Sequence, residues 1–125
     1  MQFFEVGVLK GLQAGIFLLA VIGASSHVVA EETGENRLAA GKTLAMARSK
    51  GNCLACHAFD DGELPGNIGP ALAYMQQRFP DKALLRAQIW DASVRNPDTV
   101  MPPFGRHGIL GEDEIDLILD YIYSL

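Results

Sequence analysis

Two cysteines are all that this 125-residue chain contains. With three histidines besides, it holds few groups that could bind a metal. A structural zinc ion takes four ligands. The candidates here are Cys53, Cys56, His57, His107 and a poorly placed His27. Basic residues are also scarce, ten Lys and Arg against fifteen Asp and Glu, giving a net charge of −5. That excludes the basic patch that nucleic-acid binding normally shows. The acid excess reads as a solvated surface, with a basic partner the other option. No internal repeat and no low-complexity stretch is present. No apolar run approaches the roughly 20 residues that span a bilayer. No nucleophile–base pair is identifiable. The length points to one domain.

What is present is concentrated in Cys53-Leu54-Ala55-Cys56-His57. This is C-x-x-C-H, the attachment spacing of a c-type haem. Thiols three residues apart lie about one helical turn apart and can add to the two vinyl groups on one haem edge. His57 follows at once and can ligate the iron from one face. Other readings exist. A thioredoxin-type pair sits in a βαβ pattern, and no strand-rich flanks occur here. A plain disulfide and a zinc site are the remaining options. The haem reading is preferred: one covalent haem c, with a sixth iron ligand to be found elsewhere in the chain.

The N-terminus reads as an export signal over residues 1–30. Lys10 precedes an apolar run from Gly11 to Ala24, and Val28-Val29-Ala30 fits a small-x-Ala cleavage site. An uncleaved anchor is the alternative. Cleavage leaves residues 31–125 as the cytochrome c domain. A domain of that size buries only roughly 60–65% of its unfolded surface, so a covalent haem adds a large apolar body to a small core. Residues 31–35 read as a polar lead-in.

Composition predicts a helix over 37–50, ended by Gly51. Residues 58–70 read as loop. Within it, a carbonyl near Pro70 can accept the Nδ1–H of His57 and fix the ring; an ordinary turn is the other reading. A short helix is expected over 72–79. A longer one is expected over 82–94, capped by Asp81 and ended by Asn96-Pro97. Trp90 either fills the core or touches the haem, with core preferred.

Pro102 and Pro103 then hold a stiff, extended strap. Met101 stands immediately before them. It is the preferred sixth ligand, ahead of His107 and Met75, because a strap can return over the second face of the haem. A last helix is expected over 112–123. Glu112, Asp113 and Glu114 crowd its first turn, Gly111 caps it, and Ile115, Ile118, Leu119, Ile122 and Leu125 form one stripe. That stripe should pack on the first helix, with Gly41 allowing close approach near Tyr121.

An N-terminal helix, C-x-x-C-H, Gly-Pro-x-Leu, a Met-Pro strap and a C-terminal helix together resemble the class I cytochrome c family. The resemblance implies an all-α fold packed around one covalent haem. A narrower likeness is to the SoxX family, the small cytochrome subunits of the bacterial sulfur-oxidation (Sox) system. Gly51 to His57, Gly66 to Pro70, Arg78 to Lys82, Leu85 to Ala92, Arg95 to Pro97 and, most specifically, Met101 to Leu110 carry it. It implies haem attachment at Cys53 and Cys56 and iron ligation by His57 and Met101. It also implies a periplasmic setting and a SoxA-type cytochrome partner in a SoxXA complex. That complex is an L-cysteine S-thiosulfotransferase, which joins thiosulfate to a SoxYZ-type carrier protein. Catalysis is then expected on the partner. This chain takes the electrons and passes them to a soluble cytochrome.

Overall fold

The computed structural model describes residues 33–125 apart from Asp61. The export signal expected over residues 1–30 lies outside the described residues. Among these residues all regular structure is helical, as expected of this fold class. The elements are α1 (Gly34–Met46), a 3-10 turn (Cys53–Ala55), α2 (Met75–Arg78), α3 (Lys82–Trp90), a second 3-10 turn (Ala92–Val94) and α4 (Glu112–Tyr123).

α4 is the spine. Its stripe Ile115, Ile118, Leu119 and Ile122 is buried, with Leu125 partly so. One side of α4 meets α1 and another meets α3. The α1 contact is possible because α1 presents Gly41 and Ala45, both buried, to its neighbour. A Cβ on Gly41 would stand 2.1 Å from the Leu117 carbonyl oxygen and 2.8 Å from Tyr121 Cβ. The close approach read from Gly41 and Tyr121 is therefore real.

Part of the acid excess is used between elements of the fold. Asp120 of α4 takes Arg37 of α1 at 2.6 Å and also Lys82 of α3. Asp116 takes Arg86 at 2.6 Å, and Glu114 takes Lys50 at 2.6 Å. These pairs are half-exposed, so each contributes only about 0.2–1 kcal/mol. Together they fix which face of α4 points away from the core. Glu114 also accepts the Gly111 N–H at 3.1 Å, one half of a capping box.

Several helix boundaries differ from expectation. α1 begins at Gly34 rather than near Arg37, so the helix takes in Gly34 and Glu35 of the expected polar lead-in. α1 ends at Met46 because Ala47 is extended, and the chain turns back so that the Gly51 N–H reaches the Leu44 carbonyl at 3.1 Å. α2 begins only at Met75, because Tyr74 before it is left-handed at φ 54°. α3 stops at Trp90 because Asp91 is extended at φ −153°. The Asp91 carboxylate instead accepts the Ser93 N–H at 3.1 Å and starts a separate turn. α4 runs over the residues expected.

Candidate functional site

The C-x-x-C-H segment is placed by Asn52, which is left-handed at φ 46° and turns the chain into the 3-10 turn. The His57 N–H then bonds the Cys53 carbonyl at 2.9 Å, holding thiols and imidazole on one turn. Burial pushes the Cys53 thiol up to about 11, so as a free group it stays protonated at neutral pH. Cys53 and Cys56 are not joined to each other in a disulfide.

Loop 66–72 lies flush on that turn. Gly66 N–H bonds the Leu54 carbonyl, Gly69 N–H the Cys56 carbonyl and Leu72 N–H the Ala58 carbonyl, each at 2.8 Å. A Cβ on Gly66 would stand 1.9 Å from the Ala55 carbonyl oxygen. A Cβ on Gly69 would stand 2.3 Å from His57 Cε1. The stitched loop brings the Pro70 carbonyl oxygen to 2.7 Å from His57 Nδ1. A carbonyl only accepts, so Nδ1 carries the proton and Nε2 keeps its lone pair. This is the hydrogen bond expected from the Gly-Pro sequence. The role of Gly66 was not read there, since nothing local distinguishes it from a loop glycine.

Above this turn lies a cavity of about 700 Å³. Cofactor sites are typically about 300–1,000 Å³. Cys53, Cys56, His57 and Met101 all line it. Apolar wall comes from Met75 of α2, Leu85 and Ile89 of α3, Ile118 and Ile122 of α4, and Phe104 and Leu110 of the strap. α1 supplies no wall and packs behind α4.

The strap is built residue by residue. Asp98 N–H bonds Asn96 Oδ1 at 3.2 Å, Thr99 N–H the Asn96 carbonyl at 3.1 Å, and Met101 N–H Thr99 Oγ1 at 3.2 Å. Pro102 and Pro103 fix the next two φ angles. Phe104 and Leu110 then anchor in the core.

The other sulfur and imidazole candidates sit differently. Met75 is on the cavity wall but only 1% exposed, and its sulfur accepts from Arg78 Nη1 at 3.4 Å. His107 is exposed and is not on the wall, and Met46 packs on the core away from it. Trp90 is half-buried against the core and off the cavity, as preferred.

The residues present fit a haem. Two thiols share a turn with an imidazole whose free nitrogen is set by its partner, a thioether reaches the same space, and the walls are apolar. An all-helical fold around such a cavity defines a c-type cytochrome. The chain belongs to the family described as cytochrome c oxidase, cbb3-type, subunit III, which it matches over residues 36–122. Haem c is its cofactor.

Among solved structures, a chain of SoxXA from P. pantotrophus is similar, with a TM-score of 0.62 and 26% identity over 69% of this chain and 79% of that one. The SoxX-like resemblance is thus borne out in three dimensions. An uncharacterized lipoprotein of Aquifex aeolicus (strain VF5) is 36% identical over 76 residues, 60% of this chain. The chain spans only 37% of that relative's length.

Proposed function

We propose that this chain is the electron-transfer subunit of a SoxXA-type thiosulfate-oxidising complex. The observation that carries the reading is the convergence of Cys53, Cys56, His57 and Met101 on one apolar cavity in a SoxXA-like fold. Cys53 and Cys56 hold a single haem covalently. His57, through Nε2, and Met101, through its sulfur, are the residues that would hold its iron. The haem supplies one-electron chemistry, and a methionine ligand raises its potential, which suits an acceptor. Ligation by both His57 and Met101 would leave the iron no open position for a substrate, so we assign the thiosulfate chemistry to the partner.

The partner is a SoxA-type cytochrome, the complex acts on a SoxYZ-type carrier, and a soluble cytochrome takes the electrons onward. Residues 1–30 direct export and are removed, placing the protein in the periplasm. Among the described residues no helix is long and apolar enough to cross a membrane.

A free soluble monohaem carrier is the second reading. The likeness to a SoxXA chain favours the first. Purification from the native source decides between them. A second haem-bearing chain should co-purify, both chains should stain for covalent haem, and intact mass should show a start near Glu31. Elution as a single haem chain would establish the free carrier.

A further inference from the structure

Among the described residues, Asp91 is the buried charged side chain, at 7% exposure. Neither the haem motif nor the strap contains it. Its Oδ1 accepts from the Ser93 hydroxyl at 2.5 Å and the Ser93 N–H at 3.1 Å, closing the turn after α3. Its Oδ2 points elsewhere and meets Arg106 Nε at 2.9 Å. Arg106 belongs to the strap, five residues beyond Met101.

Two further contacts join the same two segments. The Trp90 carbonyl accepts the N–H of Gly105 at 3.1 Å and of Arg106 at 3.4 Å. Gly105 lies against the Trp90 ring so closely that a Cβ would stand 2.1 Å from Cε3. The strap is therefore clamped to the end of α3 by an ion pair, two backbone bonds and a side-chain-free contact. Only Val100, Met101, two prolines and buried Phe104 stand between the Asn96–Thr99 turns and this clamp. Proline φ angles are fixed, so displacement at Gly105 and Arg106 passes to Met101 with little slack.

We infer that the Asp91–Arg106 pair is a positioning device that holds the strap, and through it the Met101 sulfur, over the cavity. This rests on the reading of Met101 as the iron's sixth ligand. A cap of the Ser93 turn needs only Oδ1; the second oxygen is committed to the strap. Serine at 93 and the cation at 106 both favour the ionised carboxylate, which keeps the pair charged. Arg106 is 54% exposed, so its removal leaves the packed core intact.

The test uses holoprotein bearing Arg106→Leu, Asp91→Asn, Arg106→Lys or Met101→Ala. Four quantities are read: the thioether-to-iron charge-transfer band of the oxidised protein, the rate of cyanide binding, the reduction potential and far-ultraviolet circular dichroism. Arg106→Leu and Asp91→Asn should speed cyanide binding about fivefold, the scale of a half-exposed ion pair, and weaken the band, with helix content unchanged. Arg106→Lys should restore most of the wild-type rate, short of the full effect because it lacks the guanidinium fork. Met101→Ala should abolish the band. If it does while Arg106→Leu and Asp91→Asn bind cyanide at the wild-type rate, this inference is overturned and the ligand reading stands. If Met101→Ala leaves the band unchanged, the ligand reading fails and the inference falls with it. Loss of helix content in step with the band in Arg106→Leu would overturn it too, since the pair would then serve global stability.

Discussion

His57 Nδ1 stands 2.7 Å from the Pro70 carbonyl oxygen. This bond decides which imidazole nitrogen is left for the cavity, and it is built by a loop rather than a helix. The loop can do so because Gly66 and Gly69 remove the atoms that would hold it off the Cys53–His57 turn. The orientation of the His57 ring is thus set by two missing side chains and one backbone carbonyl.

Gly69→Ala should displace the His57 ring. Its Cβ would fall 2.3 Å from Cε1 and 2.5 Å from Nδ1, far inside contact distance. Overpacking of this kind costs about 1–3 kcal/mol or more. The expected outcome is a low yield of haem-bearing protein and a shifted potential in what forms, measured by haem staining and redox titration. A wild-type yield and potential would show that the loop can move aside.

Met101→Ala should open the iron to cyanide and lower the reduction potential, because a thioether favours the reduced state. Ligand titration and potentiometry check both. Unchanged behaviour would return attention to Met75, the other thioether on the cavity wall, where Met75→Leu is the next variant to measure.

Gly41→Ala and Gly34→Ala should have opposite signs. In Gly41→Ala the new methyl would strike the Leu117 carbonyl and force α1 off α4, a loss of about 3 kcal/mol. Gly34 has nothing within 4 Å. Alanine there should stabilise by up to about 1 kcal/mol through helix propensity and reduced unfolded-state entropy. Guanidinium unfolding monitored by circular dichroism measures both.

Acid should unfold this protein through its paired carboxylates. Asp91 is held below the usual carboxylate range by the Ser93 hydroxyl, against its own burial, with the Ser93 N–H, Arg106 and His107 adding to the effect. Burial pushes Asp120 up, but Lys82 and Arg37 outweigh it and leave it low. A depressed folded value means the stabilisation is present above the unfolded value near 3.9. It is lost as pH falls through that value and on through the lower folded one. Melting temperatures followed downward from neutral pH should drop for the wild type. The gap between wild type and Asp120→Asn should narrow as pH falls below about 4 and close only once the pH is below the lower folded value. A gap that persists there would mean Asp120 acts by packing rather than by charge.

The local signals in the sequence carried most of the site. C-x-x-C-H names its own chemistry, because only that spacing serves two vinyl groups and an adjacent iron. The Gly69-Pro70 carbonyl, the α4 stripe and cap, and the Gly41 contact each followed from short-range pattern or from one residue's lack of a side chain. Met101 was singled out by the two prolines after it, and the fold brings it to the same cavity as His57.

Tertiary structure decided what depends on residues far apart in sequence. Whether α3 would run through Asp91 could not be read locally. Asp91 is a tolerable helix residue until Arg106 arrives from the strap and Ser93 closes the turn beneath it. The destination of the acidic charge was equally hidden. Glu114, Asp116 and Asp120 look like a solvated face, and only the placement of Lys50, Arg86, Arg37 and Lys82 around α4 turns them into clamps. Periodicity and spacing reach as far as one element; pairing between elements is fixed by packing, which places the charges only after the core has formed.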